Sequence, residues 1–238
     1  MQRNKIKDLL MTRAGILLGI MFMAAVPWLF PGLDRDAAAQ STPGKWAVGV
    51  RGGAAFFHQD VTEDLSGKTG PIIGGDVLYR FTDIFSLGLD VEWERHNFEV
   101  LGLDAGYSTT VSIIPFVEIH PVGTKAILPY ASLGVGLNVN AFHPHPPVTV
   151  LTDNLPPQLI VAISQLSLDK VDLDNTPAIK ISAGVDLFAT QRVAVNTEIG
   201  WKRNSGNGEF CNPFGGCKND NWKADTYTVL MGLRYYFH

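Results

Sequence analysis

Glu94 and His96 stand two residues apart, and Ser108 opens the next apolar segment. An acid, an imidazole and a hydroxyl are the groups that acyl transfer uses, provided the fold gathers them at one point. His143 and His145 flank a single proline; with no carboxylate or cysteine beside them they read as loop residues rather than metal ligands. Cys211 and Cys217 enclose five residues that include a glycine pair. In an exported chain that spacing suits a small disulfide loop, whereas as metal ligands the two would supply half a site. The remaining chemistry is charge: Arg51, Asp76, Arg80, Asp90, Glu92, Glu94, Glu118, Lys180, Asp186, Glu198, Lys202 and Arg234 all interrupt apolar segments. Carboxylates so placed can move protons, but among neighbouring cations they can equally be held as ion pairs.

The segments that carry these residues alternate apolar and polar side chains with period two. Eight of them are expected as strands, near 45–57, 71–81, 86–98, 108–120, 128–142, 177–189, 193–203 and 226–238. Successive side chains of a strand point to opposite faces, so Tyr227, Val229, Met231, Leu233, Tyr235 and Phe237 share one face and Thr228, Leu230, Gly232, Arg234 and Tyr236 the other. Short links follow the second, fourth and sixth strands, and longer ones, near 58–70, 99–107, 143–176 and 204–225, follow the rest. An even strand count with short turns at one end and longer loops at the other is the layout of an outer-membrane barrel. The expected fold is therefore all-β: an eight-stranded antiparallel transmembrane β-barrel of the outer-membrane type.

The N-terminal 1–39 fits a signal peptide. Arg3, Lys5, Lys7 and Arg13 precede an apolar run, and Ala37, Ala38 and Ala39 offer a cleavage site. The barrel domain is then 40–238, in the outer membrane. The rival reading, an uncleaved anchor, lacks a positive stop-transfer flank. A formal net charge of −4, with no basic cluster after the leader, argues against nucleic acid as a partner. A soluble lipocalin-like carrier shares the alternation but turns its apolar face inward. Aromatics near strand ends (Trp46, Tyr79, Phe81, Trp93, Trp201, Tyr227, Tyr235, Phe237) favour the membrane version, in which they form interfacial girdles. The final aromatic strand resembles the signal read by the barrel-assembly machinery.

With the apolar face on lipid, the charges fall in the lumen, which in an eight-stranded barrel holds side chains or one small ligand. Pro115 has no N–H to give the ladder, which makes it either a harmless bulge or a lateral opening. In the longest loop, Leu159, Ile160, Ile163 and Leu166 recur at near-helical spacing after Leu155, Pro156 and Pro157. Pro115, Tyr130, Phe142, Leu159 and Ile163 are the candidate apolar entrance. No cofactor or metal is expected.

Two segments carry a family resemblance: Ile114–His120 (IPFVEIH) and Leu128–Asn138, with its Pro129-Tyr130-x-x-x-Gly134-x-Gly136 pattern. Together with Ala183, Gly184, Val185 and Asp186 before a short turn, they resemble the OmpW family of outer-membrane barrels. The resemblance implies a monomeric eight-stranded barrel that passes small apolar molecules across the outer membrane. Two rival functions stand beside it. One is lipid modification at the outer leaflet, as in barrels resembling lipid A deacylase or palmitoyltransferase, for which Glu94, His96 and Ser108 are the trio. The other is adhesion or partner binding through the disulfide loop.

Overall fold

A computed structural model of the protein describes residues 45–57, 65–100, 103–121, 126–144, 170–211 and 216–237. The signal peptide, His145, Leu159 and Ile163 lie outside the described residues. The strands are β1 Lys45–Phe57, β2 Leu65–Gly67, β3 Gly70–Arg80, β4 Phe85–Val100, β5 Leu103–Ile119, β6 Ile127–Pro144, β7 Lys170–Leu173, β8 Thr176–Phe188, β9 Val193–Arg203, β10 Ser205–Cys211, β11 Cys217–Lys223 and β12 Thr226–Tyr236. Eight of them (β1, β3, β4, β5, β6, β8, β9 and β12) pair antiparallel in one ring, which closes between β1 and β12. These are the eight strands that the alternation marks out.

Closure is set by small residues at the seam. Gly53 and Gly232 share the inward parity where β1 pairs with β12; a Cβ would lie 1.9 Å from the Val229 carbonyl oxygen at the first and 2.0 Å from that of Val50 at the second. Only glycine allows the two backbones to approach that far. Outside the ring faces an apolar belt in which Val50, Ile73, Val91, Ile113, Leu133, Val135, Ile181, Met231 and Leu233 are all exposed. At the short-turn end it is rimmed by Trp46, Tyr79, Phe81, Tyr235 and Phe237, with Trp46 and Tyr79 rings 5.0 Å apart. A continuous exposed apolar girdle of this kind needs a bilayer to cover it. The lipocalin-like alternative is thereby overturned: the apolar face points out and the charged face in.

The structure corrects the links in one respect. The 99–107 segment is largely strand: β4 and β5 run on as a hairpin, with a register shift between Phe98 and Glu99 where Gly106 takes a φ of 132°. Above the bilayer the outward side chains become polar, so the apolar alternation fades although the ladder continues. Within the 58–70 link, β2 adds to the upper part of β4. The loop segments also contribute a separate small sheet ordered β11-β10-β7, and the Cys211–Cys217 disulfide closes its hairpin.

Candidate functional site

Every charged residue that breaks the apolar alternation, from Arg51 to Arg234, is buried inside the ring. They stack in layers. Nearest the short turns, Ala47, Leu78, Phe116, Leu128, Phe188, Ala194 and Tyr236 form an apolar plug. Beside it Arg80 donates to the Asp83 carbonyl at 2.5 Å, and His120 lies 3.1 Å from Ser86 Oγ and 3.0 Å from Glu118. The next layer centres on Arg234, which reaches Asp186 at 2.9 Å, Asp76 at 3.2 Å and Glu118 at 3.3 Å. Above it Arg51 pairs with Asp90 and Glu198, and Lys180 lies 2.6 Å from Glu92, 2.8 Å from Glu198 and 2.9 Å from Asp90. Lys202 completes the column, 3.2 Å from Glu94 and 3.4 Å from Glu92, and donates to Ser112 Oγ at 3.0 Å.

Physical necessity explains this density. A lone charge away from water is prohibitively costly, and only several partners with satisfied hydrogen bonds make it tolerable. Each of Arg51, Lys180, Lys202 and Arg234 meets at least two carboxylates. Such a column holds the strands together across the lumen and fills the axis that an open pore would need.

A neutral polar layer caps the charges. Ser112 donates to Asn138 at 2.8 Å, Thr110 to Asn140 at 2.9 Å and Thr176 to Asn204 at 2.6 Å. Over this floor, at the end opposite the short turns, Phe98, Trp222 and Ala224 are buried together, with Phe57, Phe142, Leu173 and Phe210 packed around them. They line a recess of about 420 Å³, open solvent at its mouth included, whose enclosed part has room for little more than a water molecule. Its walls are apolar, while Glu94, His96, Ser108, Thr110 and Asn140 give its base polar groups.

The candidate entrance residues do not all meet here. Phe142 lines the recess. Tyr130 does not: it sits in the charged column, its hydroxyl donating to Glu198 at 3.0 Å and accepting from Asn196 at 2.9 Å. Pro115 faces outward, and neither it nor Ile114 has a partner in the β5–β6 ladder, which resumes the same register on either side. Ile114 is fully buried and, with Phe116, Ser132 and Gly134, lines a small cavity between that loosened stretch and the charged column. Pro115 lies three residues down β5 from Ser112, below the polar floor rather than beside the recess.

The catalytic trio lines the recess without forming a relay. His96 Nδ1 is 3.0 Å from the Lys68 carbonyl and its Nε2 is 3.7 Å from Glu94. Among the described residues Ser108 makes no hydrogen bond to His96, so a nucleophile–base pair is not in place. His143 stacks on Tyr107 outside the barrel, at a centroid distance of 4.7 Å. Phe57, Phe98, Leu173, Phe210, Trp222 and Ala224 were not legible as a site. Phe57 and Phe98 carried a signal, continuing the inward parity of Arg51 and Ala55 and of Glu92, Glu94 and His96.

No family model and no curated protein matches the sequence. Among solved structures, the chain is similar to the outer membrane protein OprG from Pseudomonas aeruginosa, with a TM-score of 0.63 at 13% identity over 83% of this chain and 97% of that one. It is also similar to the outer membrane protein AlkL, at 0.51 and 14% identity, covering 82% and 91% of the two chains. Neisserial surface protein A gives 0.50 at 14% identity, with 82% and 97% covered. These likenesses concern the fold, and they agree with the eight-stranded antiparallel barrel expected from the alternation. With its lipid-facing belt and its closed ring, the chain has the fold of an eight-stranded outer-membrane β-barrel.

Proposed function

We propose that the barrel is a non-enzymatic membrane protein that takes up small apolar molecules at its extracellular recess and passes nothing down its axis. The observation that carries this reading is the stacking order: an aromatic-walled recess sits on a sealed column of polar and charged side chains. An apolar-walled recess with a few convergent polar groups is the usual form of a small-molecule site. The charged column rejects an apolar guest by desolvation cost, so the guest leaves sideways, above the Ser112–Asn138 floor, once the aromatic walls part. The protein works as a monomer, and the outward aromatics of β12 support its insertion by the barrel-assembly machinery.

The test is uptake of an apolar fluorophore into vesicles carrying the reconstituted protein. Phe142→Asp puts a charge on the recess wall and is expected to lower the uptake rate severalfold, with the folded band on an unheated gel unchanged. Equal rates for the variant and the parent protein refute the recess as the entry point. The ion-paired column favours a second reading, a purely structural barrel. Uptake by the parent protein no faster than by empty vesicles selects that one.

A further inference from the structure

The upper edge of the lipid-facing belt holds a group that neither the lumen nor the recess uses. On the outer face of β4, Leu89, Val91 and Trp93 are succeeded by Arg95. On β5, Ile113 and Val111 give way to Thr109 and Tyr107, and on β6, Leu137 and Val139 give way to Ala141 and His143. The ladders place Thr109 opposite both Arg95 and Ala141, and Tyr107 opposite His143. Arg95 thus stands in the first row beyond the apolar belt, with Thr109 and Ala141, and Tyr107 and His143 stand in the next row, diagonal to it.

Their packing fixes the cation. The guanidinium carbon of Arg95 lies 3.8 Å from the centroid of the Tyr107 ring, and the His143 ring stacks against the same phenol at 4.7 Å. A guanidinium held by its face keeps its in-plane N–H donors directed outward. Among the described residues Arg95 makes no ion pair, and it is exposed. The acidic residue further along the same face of β4, Glu99, is held by Lys68 at 2.5 Å. A preorganised cation thus stands at the depth where acyl chains end and headgroups begin.

We propose that Arg95, with Tyr107 and His143 beside it, binds the phosphate of a lipid in the outer leaflet. Phosphate is the anion that matches this geometry: the guanidinium fork takes two of its oxygens at once, and the imidazole adds a donor. The apolar row directly below, Trp93, Val111 and Val139, accommodates the chains of the same lipid. This site is independent of the recess and does not rest on the uptake reading.

Native mass spectrometry of the detergent-purified barrel tests it, with lipid A and phosphatase-treated lipid A as paired probes. The expected result is retention of the phosphorylated form about tenfold more tightly than the dephosphorylated one, the difference a charge-assisted contact makes. Arg95→Ala is expected to abolish that preference and Arg95→Lys to keep part of it. Tyr107→Leu, which frees the guanidinium, is a second probe should Arg95→Ala fail to fold. Excess inorganic phosphate is expected to leave the lipid bound; displacement by it marks a free-anion site and overturns the proposal. An unchanged preference in folded Arg95→Ala overturns it as well.

Discussion

At the scale of single residues, the lumen is an ion-pair system in which no cation is dispensable. Lys180 touches Asp90, Glu92 and Glu198, and once it is gone these three carboxylates are left to Arg51, which also faces Asp76, and Lys202, which also serves Glu94. Lys180→Met is expected to destabilise the barrel by about 3–5 kcal/mol, the usual cost of leaving a buried charge without its partner. Urea unfolding in lipid vesicles, followed by tryptophan fluorescence, measures this. A midpoint equal to that of the parent protein means the carboxylates are hydrated instead. Which residues entered the lumen was legible, because parity along a strand fixes the face. Which cation met which carboxylate was not: Lys180 and Asp90 are 90 positions apart and meet only because the ring closes.

At the scale of elements, the decisive feature is the seam between the first and last strands. Gly232 lies against the Val50 carbonyl, and Gly53 against that of Val229, so both backbones of the closing pair depend on a missing side chain. Gly232→Ala is expected to cost about 1–3 kcal/mol through overpacking, and to slow folding because this seam joins the ends of the chain. A refolding time course into vesicles, read as the appearance of the heat-sensitive compact band, checks both effects. Rates and stability equal to the parent protein mean that the seam relaxes without cost. The glycines were visible as inward positions, but nothing in their spacing marked them as contact points. β2, β7, β10 and β11 escaped the sequence reading for a related reason: strands above the membrane carry no apolar face to alternate.

At the scale of the whole molecule, the layers run from apolar plug through charged column and polar floor to aromatic recess. A barrel of eight strands has just the width that side chains fill, and here they fill it. In planar bilayers the protein is expected to give no steady ion conductance above the bare-membrane level, because the ion-paired axis leaves no aqueous path. A stable open channel in the parent protein refutes the closed lumen and with it the lateral exit.

The sequence by itself determined the number of strands in the ring, the face of each residue on them and the membrane setting. All three follow from local order along the chain: period two and the spacing of turns. Only the tertiary structure decided the pairing within the charged column, the displacement of Tyr130 into that column, and the gathering of Phe57, Phe98, Phe142, Phe210 and Trp222 at one mouth. Those outcomes depend on how far each strand is staggered against the next around a closed ring. Stagger is fixed by the sum of all eight registers, and no single segment carries it.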